Sequence, residues 1–195
     1  MSSGHAGFRR CARRRIPDVA VKAMRRALPN YLAHGLDIVF VGINPGLYSA
    51  ARRHYYARPA NLFWRALHES GLTPERLGPE DDERLPTFSL GLTDVVARAS
   101  RGSGDLSAEE LARGGWALLS RVRRYAPRIV CFNGLTGCHA CFKRTTRPGL
   151  QPDRIGRARV YVVPSTSRRN AAYSPEVVIG HFRALKRYLD DLKGS

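Results

Sequence analysis

Two polar positions at the ends of apolar runs hold the side chains with which this chain could do chemistry. The first closes the run Ile38-Val39-Phe40-Val41 and opens a turn, Gly42-Ile43-Asn44-Pro45-Gly46. Gly42 and Gly46 permit close backbone approach, Pro45 removes a donor, and Asn44 is the one side chain in the turn offering both a carbonyl and an amide. Such a turn suits holding a water or gripping a flat polar ligand, although a turn of this composition also serves as a turn and nothing more. The second is Asp94, in Leu90-Gly91-Leu92-Thr93-Asp94-Val95-Val96. A carboxylate inside an apolar segment costs free energy unless it is paired or used. Asp94 therefore reads either as a catalytic group or as a helix or turn cap. Two further apolar runs stop at polar turns, Ile129 to Phe132 at Asn133-Gly134, and Val160 to Val163 at Pro164-Ser165-Thr166-Ser167-Arg168-Arg169-Asn170. An amide, a carboxylate, hydroxyls and two consecutive arginines suit hydrolysis of a polar bond by a held water, on a substrate carrying phosphates. No Ser-His-Asp order or phosphate-loop glycine pattern competes with that reading.

The elements that must position these turns follow from the same runs. Four continuous apolar segments without alternation read as strands covered on both faces, the pattern of a parallel sheet. Between them the sequence predicts helices: Asn61 to Gly71; one opened by the capping box Ser107-Ala108-Glu109-Glu110 and running to Pro127; a short one over Cys138 to Phe142; and a final one with Ser174 as N-cap and Pro175 at its first position. Residues 73–87 read as a long irregular connection and Lys143 to Gly149 as a basic loop. Strand and helix alternation of this kind predicts a three-layer α/β/α sandwich around a short, mainly parallel sheet. Parallel strands place their carboxyl ends on one side, so the turns at Gly42, Thr93, Asn133 and Pro164 should converge on one crevice.

Composition narrows the partner. The 195 residues, 43% of them hydrophobic, are enough for one domain with a sizeable core, and no apolar run reaches the length of a membrane helix. Against 16 acidic residues stand 33 lysines and arginines, a formal charge of +17. An excess of that size is the electrostatic footprint of a nucleic-acid binder. The segment Tyr48 to Arg58, with His54, Tyr55, Tyr56 and several arginines, suits either base stacking or a surface loop covering the core edge. Residues 1–30, with Arg9, Arg10, Arg13, Arg14 and Arg15, read as a basic arm on a domain spanning 31–195. Cys138 and Cys141 form a single C-x-x-C without a second pair, better read as structural thiols than as a metal site. The expectation is a soluble, cytoplasmic monomer, nucleoid-associated if bacterial, that needs no metal or other cofactor.

At these residues the chain resembles the mismatch-specific uracil-DNA and thymine-DNA glycosylase branch of the uracil-DNA glycosylase superfamily. The resemblance spans about residues 36–192. It rests on Gly42-Ile43-Asn44-Pro45-Gly46-Leu47, on His54-Tyr55-Tyr56 followed by Pro59-Ala60-Asn61-Leu62-Phe63-Trp64, on Gly91-Leu92-Thr93-Asp94-Val95-Val96, on Gly149-Leu150-Gln151-Pro152, and on Val163-Pro164-Ser165-Thr166-Ser167-Arg168-Arg169. It implies hydrolysis of the N-glycosidic bond of uracil or thymine in mispaired double-stranded DNA, without a metal. By that resemblance Asn44 would hold the attacking water, Tyr56 would stack on the flipped base, and Ile43 would lend backbone to a base pocket that also includes Gly42 and Asn133. Ser165 and Ser167 would meet phosphates beside Arg168, and Arg169 would enter the gap the base leaves.

In one respect the chain departs from the pattern of this family. Asp94 stands where the relatives carry Lys or Asn. An amide such as Asn44 positions water without taking its proton, whereas a carboxylate does both, so the division of labour between Asn44 and Asp94 stays open on the sequence alone. A non-catalytic single-strand binder and a nucleoside hydrolase of similar fold are the alternatives. Neither needs Arg169 as a wedge or the whole set of motifs.

Overall fold

The computed structural model describes residues 27–144, 147–168, 170 and 172–194. The expected basic arm, but for its last four residues, and Arg169 lie outside the described residues. The elements, in order, are β1 (Ile38–Gly42), α1 (Leu47–Arg52), α2 (Phe63–Glu69), a 3-10 segment (Pro79–Phe88), β2 (Leu90–Asp94), a 3-10 turn (Ser103–Asp105), α3 (Ala108–Tyr125), β3 (Ile129–Asn133), α4 (Leu135–Phe142), β4 (Gly149–Ile155), β5 (Ala158–Val163) and α5 (Pro175–Gly194).

The five strands form one sheet in the order β2-β1-β3-β5-β4, parallel throughout except for β4, which runs antiparallel to β5 at the edge. Alternation along each strand divides the core in two. Ile38, Phe40, Leu90, Leu92, Ile129, Cys131 and Val163 pack under α2, α5 and the 3-10 segment. Val39, Val41, Val130, Phe132, Val160 and Val162 pack under α3 and α4. Continuous apolar runs were the right sign of strands buried on both faces, and the three-layer expectation holds.

Local chemistry sets the helix ends. Ser107 Oγ accepts from Glu110 N at 3.1 Å while Glu110 Oε2 accepts from Ser107 N at 2.9 Å, the reciprocal box expected from sequence. In the middle of α3, Gly114 lets the helix close on the turn after β2, because a Cβ there would lie 2.4 Å from the carbonyl oxygen of Val95. Pro175 stands at the first position of α5 as expected, and Ser174 Oγ accepts from Val177 N at 3.4 Å.

Three expectations need correction. Leu47–Arg52, read as part of a loop, is a short helix whose buried side is only Ser49 and Ala50, too small to show as apolar periodicity. The connection after Gly71 contains the ten-residue 3-10 segment, and its Asp82 is buried with 1% exposure. The basic loop gives way at Gly149 to a strand that sequence reasoning missed. Proline is disfavoured within a sheet, but Pro152 stands in an edge strand with an irregularity between Leu150 and Arg154, where a missing N–H does no harm. The opposite edge is covered by Tyr31, whose N–H and carbonyl both pair with Leu92 at 2.9 and 3.0 Å. Leu28 is buried in the core beneath this edge.

Candidate active site

The carboxyl ends of β1, β2, β3 and β5 surround a cavity of about 580 Å³. It lies at the topological switch between β1, which is followed by β2 on one side, and β3 on the other, the place where open α/β sheets bind ligands. Gly42, Ile43, Asn44, Tyr56, Asp94, Asn133, Ser165 and Ser167 all line it. Arg168 is exposed and does not line it.

Asn44 is held by its nitrogen. Nδ2 donates toward the carbonyl oxygens of Arg98 at 3.0 Å and Pro45 at 3.2 Å and to Ser100 Oγ at 2.8 Å. The Ser100 hydroxyl hydrogen is committed to the carbonyl of Gly102 at 2.7 Å, so its oxygen must accept. Carbonyls accept only. The network therefore fixes which end of the amide is nitrogen, and Oδ1, without a donor among the described residues, is the end left for a ligand. Ser100 had no signal in the sequence, since it lies 56 positions from its partner.

Asp94 is held by sheet register. It ends β2 opposite Gly42 of β1 and, two residues beyond Leu92, faces the same layer as that core residue. Gly42 has to be glycine here: a Cβ would lie 2.2 Å from Asp94 Oδ1 and 3.5 Å from Tyr56 Oη. The carboxylate is 6% exposed and accepts no hydrogen bond from a described residue. Burial raises its pKa to about 7, with the Arg121 charge opposing the rise. The Arg121 guanidinium is directed elsewhere, donating to the backbone carbonyl of Asp94 at 2.8 Å and to Asn30 Oδ1 at 3.0 Å. The cap expected as the alternative role for Asp94 is therefore not made by its carboxylate among the described residues, and Arg121 does not pair with it. Among the described lining residues Asp94 is the only carboxylate, and Arg58 and Arg101 are the only cations.

Tyr56 lies in the left-handed region at φ 51°, an uncommon conformation for a bulky residue. One face of its ring stacks on Phe63 with centroids 4.0 Å apart. Its hydroxyl is buried without a hydrogen-bond partner among the described residues. Burial and the Asp94 charge push its pKa up, and the nearby Asn133 amide partly offsets them. The loop bearing Tyr56 is pinned by Asp82, which accepts from Tyr55 N at 2.9 Å and Tyr31 Oη at 2.9 Å and lies 3.2 Å from His54 Nδ1. Asp82 sits among several acids with no apolar pattern around it, so sequence reasoning overlooked it. Tyr55 is a core residue, not part of a stacking surface.

Asn133 has much of its amide engaged: Oδ1 accepts from Thr166 N at 3.0 Å and Nδ2 donates to Thr166 Oγ1 at 2.8 Å. It ties the end of β3 to the turn after β5, which carries Ser165 and Ser167. Thr166 also accepts from Leu62 N at 3.0 Å through its carbonyl, joining α2 to the same wall. Among the described residues no group of three His, Cys, Asp or Glu could hold a metal ion. Cys138 is buried, and burial raises the Cys141 thiol to about 12, so these are packing thiols.

The family model of the uracil DNA glycosylase superfamily matches residues 29–193. The chain belongs to that superfamily. Within it, a protein of Schizosaccharomyces pombe named G/U mismatch-specific uracil DNA glycosylase is 33% identical over 165 residues, covering 79% of this chain and 51% of its own length. The chain thus spans about half of that relative. A solution NMR structure of a Methanosarcina acetivorans protein, provisionally named a uracil DNA glycosylase, superposes with a TM-score of 0.58 over 85% of this chain and 98% of its own, at 21% identity. That likeness concerns the fold. The matched residues include the Gly42–Gly46 turn and Asp94, which meet side by side at the ends of the paired strands β1 and β2.

Proposed function

We propose that this superfamily member is a monofunctional DNA glycosylase that hydrolyses the N-glycosidic bond of uracil in mispaired double-stranded DNA as a step of base excision repair. The relative named for G/U mismatches supports the substrate class. The observation that carries the chemistry is the pairing of an oriented acceptor with a buried, unpaired carboxylate. Asn44, with its Oδ1 left over by the hydrogen-bond network, and Asp94 line the same cavity.

In this reading the base leaves the stack, at least cost where it is mispaired, and enters the cavity, where the free face of the Tyr56 ring receives it. Asn44 Oδ1 accepts one hydrogen of the attacking water and Asp94 takes the other as the water adds to C1′. The glycosidic bond breaks with its electron pair on the departing pyrimidine. The Asp94 charge also favours the positive sugar that develops, and the backbone N–H of Ile43 stabilises the negative base. Asp94, with its pKa of about 7, is a competent base near neutral pH. Ser165 and Ser167 meet the backbone phosphates. Arg168, exposed outside the cavity, meets the duplex, and Arg169 fills the vacated stack. Thymine and damaged pyrimidines are candidate substrates of the same cavity. The protein acts as a monomer in the cytoplasm.

The test is incubation with a duplex carrying one uracil opposite guanine, followed by alkali. Strand breaks at the uracil that persist in EDTA and decline with added salt are expected, because phosphate contacts make affinity salt-dependent. Retention of the duplex without breaks would instead identify a binding protein.

A further inference from the structure

Of the two tryptophans, Trp64 is in the core at 6% exposure, whereas Trp116 on α3 is 72% exposed, the most exposed large hydrophobic residue described. The helix does not need it for packing: its inward side is Gly115, Leu118 and Val122. Helical periodicity puts Arg113, Ser120 and Arg123 on the outward side with Trp116, all of them exposed. Arg124 follows, and the side chain of Arg123 lies against the β4–β5 turn, with Cγ 3.7 Å from where a Cβ on Gly156 would stand, next to Arg157. The one acid on this face is Glu109, paired with Arg113 at 2.9 Å through two side chains that are both largely in solvent, a contact of little worth. Arg123, Arg124 and Arg157 have no carboxylate partner among the described residues. Tryptophan is rarely left in water on this scale, and still more rarely inside a row of cations.

We infer that the outer face of α3, centred on Trp116, is a second nucleic-acid surface, on which Trp116 stacks an unpaired base of a single strand while Arg113, Arg123, Arg124 and Arg157 follow its phosphates. A flat exposed ring flanked by arginines is how single strands are held without sequence preference. Charge decides among the other occupants. The N-terminal segment carries Arg9, Arg10, Arg13, Arg14 and Arg15, and a second copy carries the same +17, so both are repelled from a basic face. The helix begins close to the cavity in the chain: Ser107, its N-cap, follows the Arg101–Gly104 rim by three residues, and Trp116 lies nine residues further on, about 13 Å down the helix. A strand engaged at the rim reaches it within a few nucleotides. This surface goes beyond the glycosylase reading and does not depend on it, since undamaged strands should occupy it.

The experiment is titration of the full chain with short oligodeoxyadenylate and oligoriboadenylate, neither containing uracil, read by tryptophan fluorescence. Quenching of the exposed indole is expected with one or both strands, the stronger naming the natural source. Trp116→Phe should abolish the quench and weaken binding severalfold, leaving only the buried Trp64 signal, while single-turnover cleavage of a short uracil duplex stays unchanged. Arg123→Glu should weaken binding and keep the residual quench. A quench that survives Trp116→Phe, or an equal response to base-free polyphosphate or to polyglutamate, overturns the proposal. The last result would make this face a dock for acidic proteins.

Discussion

Replacing Asp94 by Asn should make the protein more stable and nearly inactive together. A carboxylate whose folded pKa is raised binds its proton more tightly in the native state than in the unfolded chain. Its linkage therefore runs opposite to that of a salt-bridged acid: stability is highest below the unfolded value and is lost as pH rises toward the folded one. With the pKa moving from 3.8 to about 7, at about 1.4 kcal/mol for each pH unit, about 4 kcal/mol is lost between roughly pH 4 and pH 7. An amide of the same shape carries no charge. Asp94→Asn should thus raise unfolding free energy by as much as about 4 kcal/mol near pH 8, less the cost of burying the amide, and by close to nothing near pH 4. Denaturant melts at the two pH values measure the difference. Single-turnover cleavage of a uracil duplex should meanwhile fall by about 10²–10⁴, the range for loss of a general base. The wild-type rate should climb with pH up to about 7 and then level, and the variant should lose that dependence. A variant that melts earlier than wild type at neutral pH, with a chemical step within a few fold of normal, would show Asp94 to be a structural partner and would sink the argument.

Other expectations come from neighbouring atoms. Tyr56→Phe removes a buried hydroxyl that has no partner while keeping the ring on Phe63, so melting should stay level or improve by up to about 1 kcal/mol; a large loss of stability would mean that the hydroxyl is satisfied in solution. Gly42→Ala puts a methyl 2.2 Å from Asp94 Oδ1, and should displace the carboxylate and cut the chemical rate at least about tenfold with little change in duplex affinity, as read by single-turnover kinetics beside a binding titration. Ser100→Ala takes away one of the acceptors that orient the Asn44 amide and should slow the chemical step by less than Asn44→Ala does; an equal effect of both would show that Asn44 acts only through its place in that network. Asp82→Ala orphans the donors at Tyr31, His54 and Tyr55 and should lower unfolding free energy by about 2–4 kcal/mol in the same melts.

The sheet was legible because each parallel strand is apolar on both faces and ends in a polar turn. From Gly42, Thr93, Asn133 and Pro164 alone, the convergence of the turns on one cavity followed, and so did the prominence of Asn44 and Asp94. Elements stabilised by something other than periodicity were hidden. Leu47–Arg52 buries only small side chains, β4 tolerates a proline through its edge position, and the 3-10 segment matters through one buried acid. The groups that orient the site were hidden for a different reason. Ser100, Thr166 and Asp82 act over 56, 33 and 27 positions of sequence, and local pattern carries no trace of such pairings. Trp116 was overlooked for another reason: helical spacing sets it apart from Leu111, Leu118 and Val122, but an aromatic residue in a helix is usually read as core.

The two polar groups facing the cavity rest on separate foundations. Asn44 is oriented by a loop, through Ser100 and the carbonyl of Arg98, whereas Asp94 is placed by the hydrogen-bond ladder between two strands, against a residue too small to push it away. A change in the loop leaves the carboxylate where it was, and a substitution at the strand end leaves the amide oriented. Descendants of such a scaffold can therefore trade one group for another at position 94, or weaken the amide, in single steps that do not first dismantle the rest of the machinery. Modular support of this kind lets a lineage vary the groups that face its cavity while its architecture stands still.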